Sequence, residues 1–280
     1  MFRLDDAVGS GVPILMYHEV AEPSGFAAID RVMHKEYIVS IEQFERHLKL
    51  FRSVGCNPVS LDALTSWMNG GPALPARAMV ITFDDGYIGN HTHALPLLER
   101  FGYTATFFVS TARIGASLMM RWSEVADLAR RGMTVGSHTV NHPLLSALNQ
   151  EQTAFELTDS KRHIEAEVGA PSLYLSLPNG DSNRWYEACA KSAGYRAGCG
   201  SVFGLNTPRT NPFLLKRIAI KQQLADERLR AYVSRDYGVL LRAECKATLK
   251  RMAGAVIGKR AYHGLYKALR HRSAARDVDA

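Results

Sequence analysis

The 280-residue sequence predicts an α/β fold, a parallel sheet covered by helices, and three observations carry that expectation. Short apolar, often β-branched runs alternate with helix-length segments. The links between them are short, as βα units require. The segments richest in adjacent acids and paired histidines fall at or just past the ends of the expected strands, where the loops of parallel α/β folds carry chemistry. The length suits one large α/β barrel or two modest domains. A composition that is 46% hydrophobic and 22% charged is that of an ordinary soluble protein, and no apolar run reaches the ~18 residues of a spanning helix.

Taken in order, Val12–His18 is an apolar run of strand character that ends in polar residues. Ser40-Ile-Glu-Gln43 reads as a capping box opening a helix with apolar positions at Ile41, Phe44, Leu48 and Phe51 and a stop at Gly55. Ala78–Phe83 is a buried strand by length and β-branching, followed by a helix over Thr92–Phe101 and a strand over Thr104–Val109. Ser123 is expected to cap a helix that stops at Gly132, and Met133–Val135 is a strand. Glu151–Val168 is an amphipathic helix, Leu173–Leu177 a strand, and Arg184–Ala193 a helix ending at Gly194. Short strands are expected at Tyr195–Cys199 and Leu215–Ile220.

Two segments carry the chemistry. Val80–Gly86 ends in Asp84-Asp85-Gly86, and Gly136–His142 contains His138 and His142 in a His-x-x-x-His pattern. One carboxylate and two imidazoles make a three-ligand metal site with a position open for water, and a second carboxylate is then free to take a proton. Successive side chains on a strand point to opposite faces, so Asp84 and Asp85 share a site only in the turn that Gly86 permits. If the loop is helical, His138 and His142 lie one turn apart and face one ion, with Pro143 ending that turn. His18 also stands at a strand end. His34, His47 and His163 read as solvated, His91 and His93 as helix-surface residues, and His263 and His271 as part of a basic tail.

Thr82–Gly86, Ser137–His142 and Leu177–Gly180 resemble, in order and spacing, the three main motifs of the polysaccharide deacetylase family, the NodB-homology carbohydrate esterases. The resemblance covers roughly residues 12–220. It implies a distorted (β/α) barrel, a divalent metal, commonly zinc, and hydrolysis of an N-acetyl group from an amino sugar. By that resemblance Asp84 is the catalytic base and Asp85, His138 and His142 are the metal ligands. A backbone N–H near Asn179 holds the oxyanion, with Pro178 and Tyr87 among the oxyanion and substrate-binding candidates. Two departures stand out. Where the family's third motif has an Arg before the Pro and an aromatic after it, this chain has Ser176 and Asn179, and Arg217 is a candidate to supply the missing guanidinium. A late motif with the general-acid His is also missing. A branch of the family that includes poly-N-acetylglucosamine deacetylases takes that His from an early Tyr-His segment, and Tyr17-His18 resembles it, which makes His18 the candidate acid.

Charge is unevenly placed. Between Leu241 and Arg272 nine Lys/Arg stand against Glu244 alone, whereas residues 1–240 balance to zero. A neutral body argues against a nucleic-acid binder. The expected organisation is a catalytic barrel over 1–238 and a basic helical tail over 239–280. That tail either packs on the barrel or lies against anionic membrane through residues 239–272. Cys56, Cys189, Cys199 and Cys245 form no C-x-x-C pair, and Met1–Ser10 carries two acids without an apolar core. Both fit reduced thiols and a cytoplasmic location with peripheral contact at the inner leaflet. The substrate expected there is an N-acetylated polysaccharide, glycolipid or lipid-linked sugar. The other readings are a deformylase on a lipid-linked formamido sugar, and a non-catalytic carbohydrate-binding or membrane-scaffold protein on a degenerate barrel.

Overall fold

The computed structural model describes residues 11–26 and 35–257, with side chains through Leu249. Met1–Ser10, His34, His263, His271 and the tail beyond residue 257 lie outside the described residues. The chain divides into two compact units, Met1–Asp236 and Tyr237–Ala280.

In the first unit, strands β1 (Ile14–Tyr17), β2 (Glu19–Ala21) and β3 (Ile38–Ser40) lead into α1 (Ile41–Val54), β4 (Asn57–Pro58) and α2 (Leu61–Met68). The alternation continues through β5 (Ala78–Phe83), α3 (Leu95–Phe101), β6 (Thr106–Val109), α4 (Trp122–Arg130), β7 (Thr134–Ser137) and α5 (Gln150–Val168). It closes with β8 (Tyr174–Ser176), α6 (Tyr186–Ser192), β9 (Ala197–Cys199), β10 (Ile218–Ala219) and α7 (Asp226–Val233). The second unit opens with α8 (Tyr237–Ile257).

The main sheet runs β10-β1-β5-β6-β7-β8-β9, with β4 also on β5, and every ladder is parallel. Leu215 pairs with Cys199 while Ile218 pairs with Leu15. One short segment therefore touches both edges, and the sheet curls into a distorted barrel. The strands are apolar on both faces because helices cover the outside and side chains fill the inside. Tyr17, Phe83 and Phe107 stack across β1, β5 and β6, with ring centroids 5.3 and 4.8 Å apart, and Phe44 of α1 meets them edge-on. Register then sets the site. Tyr17 pairs with Phe83, so His18 and Asp84 leave the sheet at the same level. Val109 pairs with Ser137, which brings His138 to the same end.

Three local expectations change. Ser40 caps α1 by accepting from Gln43 N at 3.1 Å, but Gln43 Nε2 donates to Gln222 O instead of returning to the cap. The helix assigned to Ser123 starts at Trp122, and Arg121 N donates to Glu124 Oε2 at 2.6 Å. His47 is fully buried rather than solvated, with Nδ1 3.0 Å from Tyr17 OH and Nε2 3.7 Å from Asp226. The amphipathic period of α1 placed it on the inner face, and Tyr17 supplies a polar partner there.

Burial pushes the His47 imidazole down to about 4, against the pull of Asp226. In the unfolded chain it takes up its proton near pH ~6.5. Between about pH 6.5 and 4 the unfolded state therefore binds more protons, and stability falls as pH drops. Urea midpoints measured across this window should decline with falling pH, and His47→Gln should flatten that decline; an unchanged slope in the variant would remove His47 as a source.

Candidate active site

Asp84 follows β5 directly, and its N–H donates to Tyr17 O at 3.0 Å. Asp85 (φ 76) and Gly86 (φ 88) then adopt left-handed conformations. This turn brings the two carboxylates, which an extended strand would send to opposite faces, to one cleft of about 330 Å³.

Asp84 is held from two sides. Arg217 Nη1 donates to Oδ1 at 2.8 Å and Nη2 to Oδ2 at 2.7 Å, a bidentate pair in which both side chains are buried. Ser176 Oγ donates to Oδ2 at 3.0 Å, and Arg217 Nη2 also reaches Ser176 Oγ at 2.8 Å. Arg217 Nε is anchored on Gly200 O at 2.7 Å. Burial acts to raise the Asp84 carboxyl, but the Arg217 charge, with His138 and the Arg217 hydrogen bonds, outweighs it and holds the group below the usual carboxylate range. The guanidinium absent from position 176 is thus supplied from just before β10, and Ser176 in its place bonds both partners.

Asp85 faces the histidines. Its Oδ1 lies 3.5 Å from His138 Nε2 and 3.3 Å from His142 Nε2. One ligand atom from each of the three residues falls within 4.8 Å of the others. The histidines do not converge through a helical turn as expected: Thr139 (φ 66) and His142 (φ 57) are both left-handed, and the loop is irregular. His138 Nδ1 lies 2.8 Å from Ser176 O, a carbonyl that only accepts, so Nδ1 carries the proton and Nε2 presents a lone pair toward Asp85. Burial pushes the His138 imidazole down to about 4 against the pull of Asp84 and Asp85. Burial likewise acts to raise Asp85, but its hydrogen bond to His142 and the neighbouring imidazoles drive it far below the usual range. With one ligand atom from each of the three within reach of the others, one Asp and two His make a donor set that suits a divalent ion with an open position.

The remaining candidates line the same cleft, with one exception. His18 points its ring at Tyr37, 4.6 Å between centroids, and Asn90 Nδ2 donates to His18 O at 2.6 Å. Burial pushes the His18 imidazole down, opposed by Asp85 and Asp84. Tyr87 is buried in the wall, with its hydroxyl pushed up to about 12 chiefly by burial. Asn179 adopts φ 55 in the turn after β8, and Leu177, Asn179 and Gly180 form that wall while Pro178 is buried behind it. Gly180 (φ 64) has no room for a side chain, since a Cβ would run into Ser201.

Residue-type reasoning missed Tyr37, Asn90 and Arg113. Arg113 Nη1 lies 3.5 Å from Asp85 Oδ1 and Nη2 donates to Tyr87 OH at 3.3 Å. It follows β6 closely, so the strand-end rule that flagged the other candidates also reaches it. Tyr37 and Asn90 carry no such local signal; only the β2–β3 pairing and the helical segment Asn90–Ala94 before α3 bring them to His18.

A family model for polysaccharide deacetylases matches residues 71–198. Over that stretch, just under half of its length, the chain matches the polysaccharide deacetylase family. This makes it a hydrolase of the class acting on amide bonds. It is 26% identical over 222 residues to YxkH of Bacillus subtilis (strain 168), covering 79% of this chain and 76% of that protein. It is 31% identical over 148 residues to the poly-beta-1,6-N-acetyl-D-glucosamine N-deacetylase of Escherichia coli (strain K12), spanning 47% of this chain and only 21% of that enzyme. In fold it resembles the structure of IcaB from Ammonifex degensii, at a TM-score of 0.71 and 22% identity, with 81% of this chain and 98% of that one aligned.

Removing Arg217 would leave Asp84 buried and unpaired. Arg217→Met should destabilise the protein by about 3–5 kcal/mol, and adding Asp84→Asn should recover most of that loss. Chemical denaturation of the two single variants and the double variant measures the coupling; additive losses would argue against the pair.

Proposed function

We propose that this chain is a metal-dependent N-deacetylase of amino sugars in a polysaccharide, glycolipid or lipid-linked saccharide, with zinc as its ion. The observation that carries the reading is a buried carboxylate held by Arg217 beside a separate Asp-His-His group. Two adjacent carboxylates in different environments suit two different tasks. Asp85, His138 and His142 would hold the ion, which when bound supplies a Lewis acid for the amide carbonyl and for water.

Asp84 is the base. Arg217 keeps it ionised and orients both oxygens, so it accepts the proton of the attacking water without leaving its position. Asn179 and Tyr87 line the cleft, which supports the Asn179 backbone N–H as the donor that stabilises the oxyanion. His18, on the same cleft, protonates the departing amine, and Tyr37 and Asn90 hold it in place. The E. coli relative's name supports an N-acetylglucosamine polymer as the substrate class.

Asp84→Asn should lower acetate release from N-acetylated oligosaccharides by about 10²–10⁴-fold, and a chelator should abolish it until zinc is restored. Full activity of the variant would remove Asp84 as base. Formate release from a formamido sugar, without acetate release from the N-acetyl analogue, would favour the deformylase reading instead.

The second unit supports a location. On the described part of α8, Leu241 and Leu249 are exposed (56% and 67%) on a helix that also carries Arg242 and Lys246. Exposed leucines among basic residues suit the surface of an anionic membrane, which for a cytoplasmic protein is the inner leaflet. Deletion of residues 239–280 should abolish sedimentation with phosphatidylglycerol vesicles while sparing hydrolysis of a soluble oligosaccharide. Vesicle binding retained by the deletion variant would refute the anchor.

A further inference from the structure

The loop that delivers both histidines is bonded along its whole length. His138 N donates to Val109 O, Thr139 N to Ser137 Oγ, and His142 N to Thr139 Oγ1. On the carbonyl side, Thr111 N and Ala112 N donate to Thr139 O and Val140 O. The two amides in the middle, Val140 N and Asn141 N, both donate to Glu156 Oε2, at 2.8 and 3.0 Å. Asn141 Nδ2 donates to the other oxygen, Oε1, at 2.7 Å.

Glu156 touches neither the cleft nor Asp85. It is 6% exposed, on the inner face of α5, one turn before Ser160, whose hydroxyl lies 2.7 Å from Ser137 Oγ. A carboxylate is costly to bury unless its oxygens are satisfied, and here both are, by N–H donors of one loop. That loop needs an external hold. Thr139 and His142, which flank the bonded pair, are left-handed residues other than glycine, and such conformations persist only where the surroundings over-determine them.

We propose that Glu156 is a positioning residue for the His138–His142 pair, setting the affinity of the Asp85-His138-His142 site by fixing the loop that carries His142. This rests on reading those three residues as metal ligands. The middle of the loop between the two histidines then hangs on a helix as well as on the strands that deliver them. Residues that orient ligands in this way typically change metal affinity by about 10–100-fold when lost.

The test is zinc affinity of the purified full-length protein by competition with a chromophoric chelator, with melting temperature of the metal-free form measured in parallel. Glu156→Ala should weaken zinc binding about 10–100-fold. Glu156→Gln should recover most of it, because the amide oxygen still accepts the two backbone N–H groups and Asn141 can rotate its amide to accept from Nε2. Glu165→Ala, which removes a comparable bond to Ser172 N at the far end of α5, should change melting temperature without changing zinc affinity. Zinc affinity unchanged in Glu156→Ala, or lowered equally in Glu165→Ala, overturns the proposal. Should Glu156→Ala fail to fold, Asn141→Ala removes one of the three bonds from an exposed side chain and should still weaken zinc; no effect there also overturns it. Absence of zinc binding by the wild-type protein would instead overturn the metal reading itself, and this proposal with it.

Discussion

The Asp84–Arg217 pair is the constraint around which the rest of the first unit is arranged. A carboxylate this deep cannot stay ionised without a partner, and a guanidinium this deep cannot be left without acceptors. Each solves the other's problem only if β5 and the segment before β10 sit on neighbouring sides of the barrel. The β1 strand between them provides that spacing by pairing with both. Ser176 and Thr82 fill the remaining hydrogen-bonding positions, the latter with Nη1 at 3.3 Å, so with Gly200 O the pair is satisfied from two strands, β5 and β8, and the loop after β9.

That arrangement leaves Asp85 to a different set of neighbours. Its carboxylate meets two imidazoles and the Arg113 guanidinium. A cation held by Asp85 and the histidines would also lie near Arg113, whose Nη1 is 3.5 Å from Asp85 Oδ1. The charge of Arg113 therefore works against a bound ion while balancing Asp85 without one. Neighbouring carboxylates thus acquire different chemistry from different surroundings: one locked in a fork, the other open to a metal.

Legibility in the sequence followed how local each cause was. Asp84, Asp85, His138 and His142 stand out because the residue types and short spacings are themselves the chemistry. The strand-end rule adds His18 and Asn179. Arg217 was readable only as a gap and a candidate, since Ser176 stands where an Arg was expected and nothing near Arg217 says where its side chain goes. Glu156 was invisible for the same reason: on an amphipathic helix a glutamate reads as solvated, and only the approach of the His138–His142 loop makes it buried. His47 misled in the same way, because its partner Tyr17 lies 30 residues away in the chain.

By itself, the sequence determined the alternation of strands and helices, the order of the motifs and the identity of the groups that can bind a metal or move a proton. These depend on periodicity, turn residues and side-chain chemistry, all of which act over a few positions. Tertiary structure decided which groups meet. The parallel register placed His18 beside Asp84, barrel closure delivered Arg217, and two left-handed residues aimed His142 at Asp85. Those contacts span up to 133 residues of chain, and only packing of the whole barrel specifies them.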